Sequence, residues 1–246
     1  MTCVSFADSG LKSIDKRLDM LPESLTFSKT FRSDNTCYSV NMTTDGRLIY
    51  GLTGGVEIWD TIDGKVKLSR NMKGCMHTMR QCGEHLYGAW ANDNQLTVVR
   101  YDRQLNNREE IISIRCLTDM HSQIDVRYGK IVVVACNSKL IKLYTIDGVF
   151  VRNVRLIGCN SSYGVRLLMD GCVLVTDYGA GFVTKYQTDG SGSVVWRSGQ
   201  LQRPLGLDVD ELGLIYVCGD FSIYVLSLKG QYKIYDTSSH CLHYNI

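Results

Sequence analysis

The chain has 246 residues, of which 44% are hydrophobic and 21% charged, with a formal net charge of +2. So even a balance gives no global field toward nucleic acid or a membrane surface, and the lack of any apolar run of about 18 residues argues against a membrane-spanning helix. The 23 glycines against 2 prolines point to many tight turns rather than to extended linkers.

Residues 1–8 lack a basic region followed by an apolar stretch, so a secretory leader is not expected. Ten cysteines are present, but no Cys-x-x-Cys spacing occurs. Cys136, Cys172 and Cys218 sit inside apolar runs, where a free thiol behaves as a small hydrophobe. A cytoplasmic protein with reduced thiols, without metal and without cofactor, is the expectation.

In chain order, residues 4–14 read as a strand, a turn and a second strand, and Leu25–Phe27 as a further strand. From there one plan recurs five times. Its second strands are 48–52, 86–91, 131–135, 173–176 and 214–218. Their last residues, Leu52, Ala91, Ala135, Thr176 and Cys218, are 39, 44, 41 and 42 residues apart. Third strands follow at 56–60, 96–101, 140–144, 182–186 and 223–226. Asp45-Gly46, Tyr128-Gly129 and Asp170-Gly171 stand between first and second strands. Asp63-Gly64, Asp147-Gly148 and Asp189-Gly190 follow the third strands. These dipeptides suit tight hairpins in which both central residues take positive φ. Apolar residues alternate or run in fives and never recur every 3.6 residues, so no long helix competes. Residues 241–246 read as a lone first strand.

Four short strands every forty-odd residues, with turn chemistry between them, describe a β-propeller blade. The two ends together supply one more blade. The expectation is therefore a single all-β domain over 1–246, a six-bladed propeller closed by the N-terminal strands and the C-terminal strand.

One repeat carries the clearest signature: Arg203-Pro204-Leu205-Gly206-Leu207-Asp208-Val209-Asp210, then Gly213-Leu214-Ile215-Tyr216-Val217-Cys218-Gly219-Asp220. It resembles the NHL repeat, as do Tyr163–Leu167 with Thr176–Gly179, and Ala7–Gly10. Glu57-Ile58-Trp59-Asp60 looks like the terminal dipeptide of a WD40 repeat, but it occurs in one repeat alone. The NHL resemblance implies a propeller of the kind found at the C-terminal end of tripartite-motif proteins. There it selects the ubiquitination substrate of an E3 ligase, or binds single-stranded RNA in post-transcriptional regulation. A protein partner is thus the first expectation and RNA the second, with no DNA and no membrane. With no catalytic constellation legible, the chain is expected not to be an enzyme by itself. A propeller lyase or lactonase is the third reading.

Aligning the first strands puts Asn41, Arg80, Asp125, Arg166, Asp208 and His243 at one level. Their alternating signs suggest a mutually satisfied polar ring rather than an ion site. Nearer the start of the same strands stand Tyr38, His77, Ser122, Tyr163, Leu205 and His240. Tyrosine and histidine carry an apolar body and a polar tip, which suits recognition. The loops leading in bring Lys29, Arg32, Arg70, Lys73, Arg155 and Arg203, opposed by Asp8, Asp34, Asp93, Asp119, Asp177 and Asp220. The binding candidates are accordingly Tyr38, His77, Tyr163, Arg203, His240, Arg32 and Lys73, with no catalytic or metal residue named. Five scattered histidines do not make a metal site.

Overall fold

A computed structural model describes residues 18, 20–23, 35–92, 95–115, 122–135, 138–227 and 232–237. Eighteen strands are assigned within them. β1 (Cys37–Met42), β2 (Leu48–Trp59), β3 (Val66–Cys82), β4 (His85–Asn92), β5 (Gln95–Asp102) and β6 (Glu109–Arg115) form one sheet in sequence order. β7 (Ser122–Arg127), β8 (Lys130–Ala135), β9 (Leu140–Thr145) and β10 (Phe150–Arg155) form the second. β11 (Ser162–Leu167), β12 (Val173–Asp177), β13 (Phe182–Tyr186) and β14 (Val194–Arg197) form the third. β15 (Leu207–Val209), β16 (Ile215–Cys218), β17 (Ser222–Leu226) and β18 (Tyr232–Asp236) form the fourth. Hydrogen-bonded neighbours are antiparallel, as short connections require.

The expected six blades are thus corrected to four sheets among the described residues. The physical reason is continuity of the ladder. β3 carries the outer strand of one repeat and the inner strand of the next without a break, pairing β2 through Val66–Asn71 and again at Cys75, and β4 through Cys75–Cys82. β2 in turn doubles back on itself. The Tyr50 and Trp59 rings lie 5.7 Å apart, where an extended strand would separate them by about 30 Å. The Thr61 hydroxyl donates to the Gly46 carbonyl at 2.9 Å. Gly54 and Gly55, with φ of 83° and 155°, allow that reversal. The strands expected at 4–14, 25–27 and 241–246, and with them the closure of a terminal blade, lie outside the described residues.

Turn chemistry departs from expectation in a consistent way. At Asp45-Gly46 only the glycine is left-handed, with φ of 80°. Gly46 N–H donates to Thr43 O at 3.0 Å and Thr43 N–H to Arg47 O at 2.8 Å. This is a three-residue loop, a type I turn followed by one left-handed residue, rather than a two-residue hairpin. The same pair of bonds recurs at 145–149, 168–172 and 210–214. The aspartate of Asp170-Gly171 keeps ordinary φ and accepts from Cys172 N–H at 3.0 Å; at 210–214, where Leu212 precedes the glycine, Asp210 at the head of the loop accepts from Leu214 N–H at 2.9 Å. Tyr128-Gly129 does have two positive φ values, 52° and 69°.

The described residues fall into two compact units, one spanning 35–135 with 140–153 and the other 18–23, 138–139 and 154–237. In the first, Ile49, Val56, Ile58, Met76, Met79, Leu86, Val99 and Tyr101 make one core cluster. Tyr87, Ala89, Leu96, Val98, Ile112, Ile124, Val126, Ile131 and Val133 make another. β8 reads as an unbroken apolar run because Ile131, Val132, Val133 and Val134 are all buried, both faces being covered. Each such side chain contributes roughly 1.5–3 kcal/mol. In the second unit, Leu174 and Val183 pack with Leu207, Ile215, Val217, Tyr224 and Leu226. Leu18 and Leu21 are buried against Leu214, Val225 and Tyr235. Lys233 Nζ and Tyr235 Oη donate to the carbonyls of Leu21 and Pro22, at 2.9 and 2.8 Å. Leu18 and Met20 are helical, so this part of the N-terminal region docks on β16–β18 without adding a strand.

Candidate functional site

In the first unit the inner strands β1, β3 and β7 hand one polar group to the next. Asn41 Nδ2 donates to Met79 O at 2.7 Å. Arg80 Nε lies 3.7 Å from the fully buried Asp125 carboxylate, and Arg127 Nε lies 3.8 Å from its other oxygen. In the second unit Arg166, on β11, meets Asp208, on β15, at 2.6 Å. The shared level read from the sequence therefore holds within each unit, and the charges are paired. Paired charges at this depth space neighbouring strands.

Nearer the strand starts, Tyr38 and His77 come together, their rings 5.2 Å apart. His77 is 5% exposed and its Nδ1 accepts the Ser122 backbone N–H at 3.0 Å. The adjoining Thr78 hydroxyl donates to Gln123 Oε1 at 2.6 Å. This histidine is a seam between β3 and β7 rather than a displayed tip. The Tyr38 hydroxyl receives Thr53 Oγ1 at 3.4 Å and Cys75 Sγ at 3.6 Å. Thr53 pulls the phenol down, but burial and Cys75 outweigh it and leave it above its usual range.

Lys73 is exposed, and its carbonyl accepts Trp90 Nε1 at 3.0 Å. Arg108 lies over that Trp90 ring at 5.2 Å. Arg70 is engaged elsewhere, donating to Leu105 O and lying 5.4 Å over the Tyr101 ring. Arg32 and His240 lie outside the described residues.

Arg203 is the candidate that the structure displays best. It follows a loop held by backbone bonds at both ends: Leu201 N–H to Gly181 O at 2.7 Å, Leu205 N–H to Cys218 O at 2.7 Å, and Cys218 N–H to Gly206 O at 2.9 Å. Gln202 N–H donates to the Tyr224 hydroxyl at 3.0 Å. Arg203 itself has φ of 42°, a left-handed value that costs a side-chain-bearing residue roughly 1 kcal/mol or more. Its side chain is 63% exposed, paired with Asp220 at 3.0 Å and lying 5.8 Å over the Tyr178 ring. Phe221, next to Asp220, is 60% exposed. Tyr163, on β11, is half-buried.

Sequence reasoning missed Tyr178 and Phe221 as parts of this surface. Both stand just after a second strand, where an aromatic in a turn has no core to enter, and that position was a readable signal. Asp177, expected among acids facing the cations, turns inward instead. Its carboxylate accepts the N–H groups of Asn160, Ser161 and Ala180 at 2.7, 2.9 and 3.0 Å. Among the described residues no three His, Cys, Asp or Glu side chains group as metal ligands. Burial pushes the thiols of Cys37 and Cys218 up to about 11 and that of Cys159 up to about 12, which disfavours the thiolate form.

No protein-family profile matches the chain, and no curated protein matches it. Solved structures do. A catalytically inactive variant of virginiamycin B lyase from Staphylococcus aureus, with quinupristin, is 14% identical with a TM-score of 0.63, covering 83% of this chain and 71% of that one. A streptogramin B lyase is 13% identical with a TM-score of 0.64, covering 88% and 72%. The WD40 β-propeller domain of Doa1 is 12% identical with a TM-score of 0.61, covering 79% and 66%. The chain therefore has a β-propeller fold. The comparisons give no support to the NHL type in particular. The expectation that the chain is not an enzyme is corrected: the two lyases among its structural neighbours are enzymes.

Proposed function

We propose that this chain is a recognition propeller that binds a protein partner through loop ends at the starts of its inner strands. One observation carries the reading: an arginine in a left-handed conformation, on a loop fastened by backbone bonds, with its guanidinium turned to solvent. Local strain held by surrounding structure is a mark of functional positions, and a fixed loop loses little entropy on binding. The WD40 domain and the mitotic checkpoint complex among the similar structures agree with a protein partner. Substrate selection for a tripartite-motif-like ubiquitin ligase is the form this takes under the NHL resemblance. The six described cysteines are free thiols, which supports a cytoplasmic setting.

Affinity capture from a lysate of the source cells tests the proposal. A reproducible protein partner should be retained by the native chain and by Lys130→Glu, and lost with Arg203→Glu. No reproducible partner, or capture indifferent to Arg203, overturns it. Single-stranded RNA that binds at low salt and weakens on Lys73 reversal would favour RNA recognition instead.

The second reading is a propeller lyase, which the two lyase folds favour. Incubation with quinupristin, followed by mass spectrometry, decides it: a turnover product supports the lyase, and unchanged substrate counts against it.

A further inference from the structure

Arg203 has more donors than its known partner uses. A guanidinium carries five N–H donors in a planar fork. Asp220 takes NH1 at 3.0 Å, the Tyr178 ring lies 5.8 Å beneath, and the side chain remains 63% exposed. The ring and the carboxylate engage part of this planar fork, while the side chain as a whole stays largely open to water. A second carboxylate approaching in that plane would meet two parallel donors already oriented for it. Phe221, directly after Asp220 and 60% exposed, offers an apolar contact within a residue or two of the same ligand.

A bland surface ion pair would need none of this arrangement. At φ of 42°, glycine would be the low-energy residue, yet arginine stands there, followed by Pro204. The loop is pinned on both sides, so the strain is held rather than relaxed.

We infer that this platform takes an acidic side chain of an extended partner segment, with an apolar neighbour of that acid resting on Phe221. The inference rests on the protein-recognition reading and names its ligand chemistry. A polyanion such as RNA fits less well, because Arg203 already has a carboxylate beside it, Asp220, and Asp208, on the same sheet, is half-exposed. Nucleic-acid surfaces need several phosphate-neutralising cations together.

The test is selection of a random-peptide phage library, about twelve residues long, on the full chain. Enriched peptides should share an Asp or Glu within two positions of an aromatic or large aliphatic residue. A synthetic consensus peptide should lose about tenfold or more in affinity on Arg203→Gln. Arg203→Lys should not restore it, since a point charge cannot replace the fork. Phe221→Ser should weaken it several-fold, and Lys130→Glu, at an exposed position on β8, should leave it unchanged. Unaltered thermal melting of Arg203→Gln separates lost contact from lost fold. Enriched peptides without an acid, or a consensus indifferent to Arg203→Gln, overturn the inference while leaving protein recognition standing. So does failure to enrich any peptide when affinity capture still yields a partner. Failure of both the library and affinity capture removes the recognition reading itself.

Discussion

Arg166 and Asp208 illustrate how little a charge in the sequence says about its cost in the fold. Their contact is 2.6 Å, but the arginine side chain is 6% exposed and the aspartate 51%. Removing the exposed member is the more damaging change, because it takes the carboxylate from a buried guanidinium. Asp208→Ala should cost about 2–3 kcal/mol, whereas Arg166→Met, which removes the buried charge itself, should cost about 1 kcal/mol or less. Urea unfolding of the two variants checks the order. The thiols give a second residue-scale prediction. Burial first, and for Cys159 the Asp177 carboxylate as well, lifts Cys37, Cys159 and Cys218 from 9.0 to between about 11 and 12. The folded chain then keeps protons that the unfolded chain releases above pH 9. That contribution is complete below about pH 9 and is lost as pH climbs toward about 12. The urea midpoint should fall between pH of about 8 and about 10, and Cys159→Ala should flatten the fall. A midpoint independent of pH would contradict the burial of these groups.

Glycines that look equivalent in the repeat prove different at the level of strands. A Cβ on Gly164 of β11 would lie 2.6 Å from the Leu205 carbonyl and 2.8 Å from Leu207 Cδ2. The Thr176 hydroxyl completes that seam, receiving Gly164 N–H and donating to Leu205 O, each at 2.6 Å. Glycine is needed at this point because one backbone passes hard against another, not because of a turn. Gly164→Ala should therefore destabilise by about 2 kcal/mol or more, as read from thermal melting. Gly206 holds the matching place before β15, but among the described residues nothing lies within 4 Å of a Cβ built there.

At the scale of the whole molecule, a shared fold has not carried a shared activity. Lyases and a WD40 domain share this architecture with the chain at 12–14% identity, so the fold by itself does not decide what the chain does. Stability and recognition should accordingly separate at Arg203. Arg203→Gly relieves a left-handed residue and removes a surface ion pair, two changes that roughly cancel. Its stability should stay within about 1 kcal/mol of the native chain. Partner capture should nevertheless disappear. A large loss of stability in this variant would make Arg203 a structural residue and end its part in recognition.

Much of the local design is legible in the sequence. The 39- to 44-residue spacing located the second and third strands, because period-2 or continuous apolar runs bounded by Asp-Gly have few other solutions. The level of Asn41, Arg80 and Asp125, and that of Arg166 and Asp208, followed from the same alignment. Three things were decided only by packing. The number of sheets depends on whether a ladder runs on from one repeat to the next, which the residues of β3 do not announce. Whether His77 and Asp177 face solvent depends on which backbone N–H groups lack partners nearby, and both side chains turned inward to satisfy them. The platform of Arg203, Tyr178, Asp220 and Phe221 gathers groups up to 43 residues apart, and contacts over that separation exist only once strands have found their neighbours.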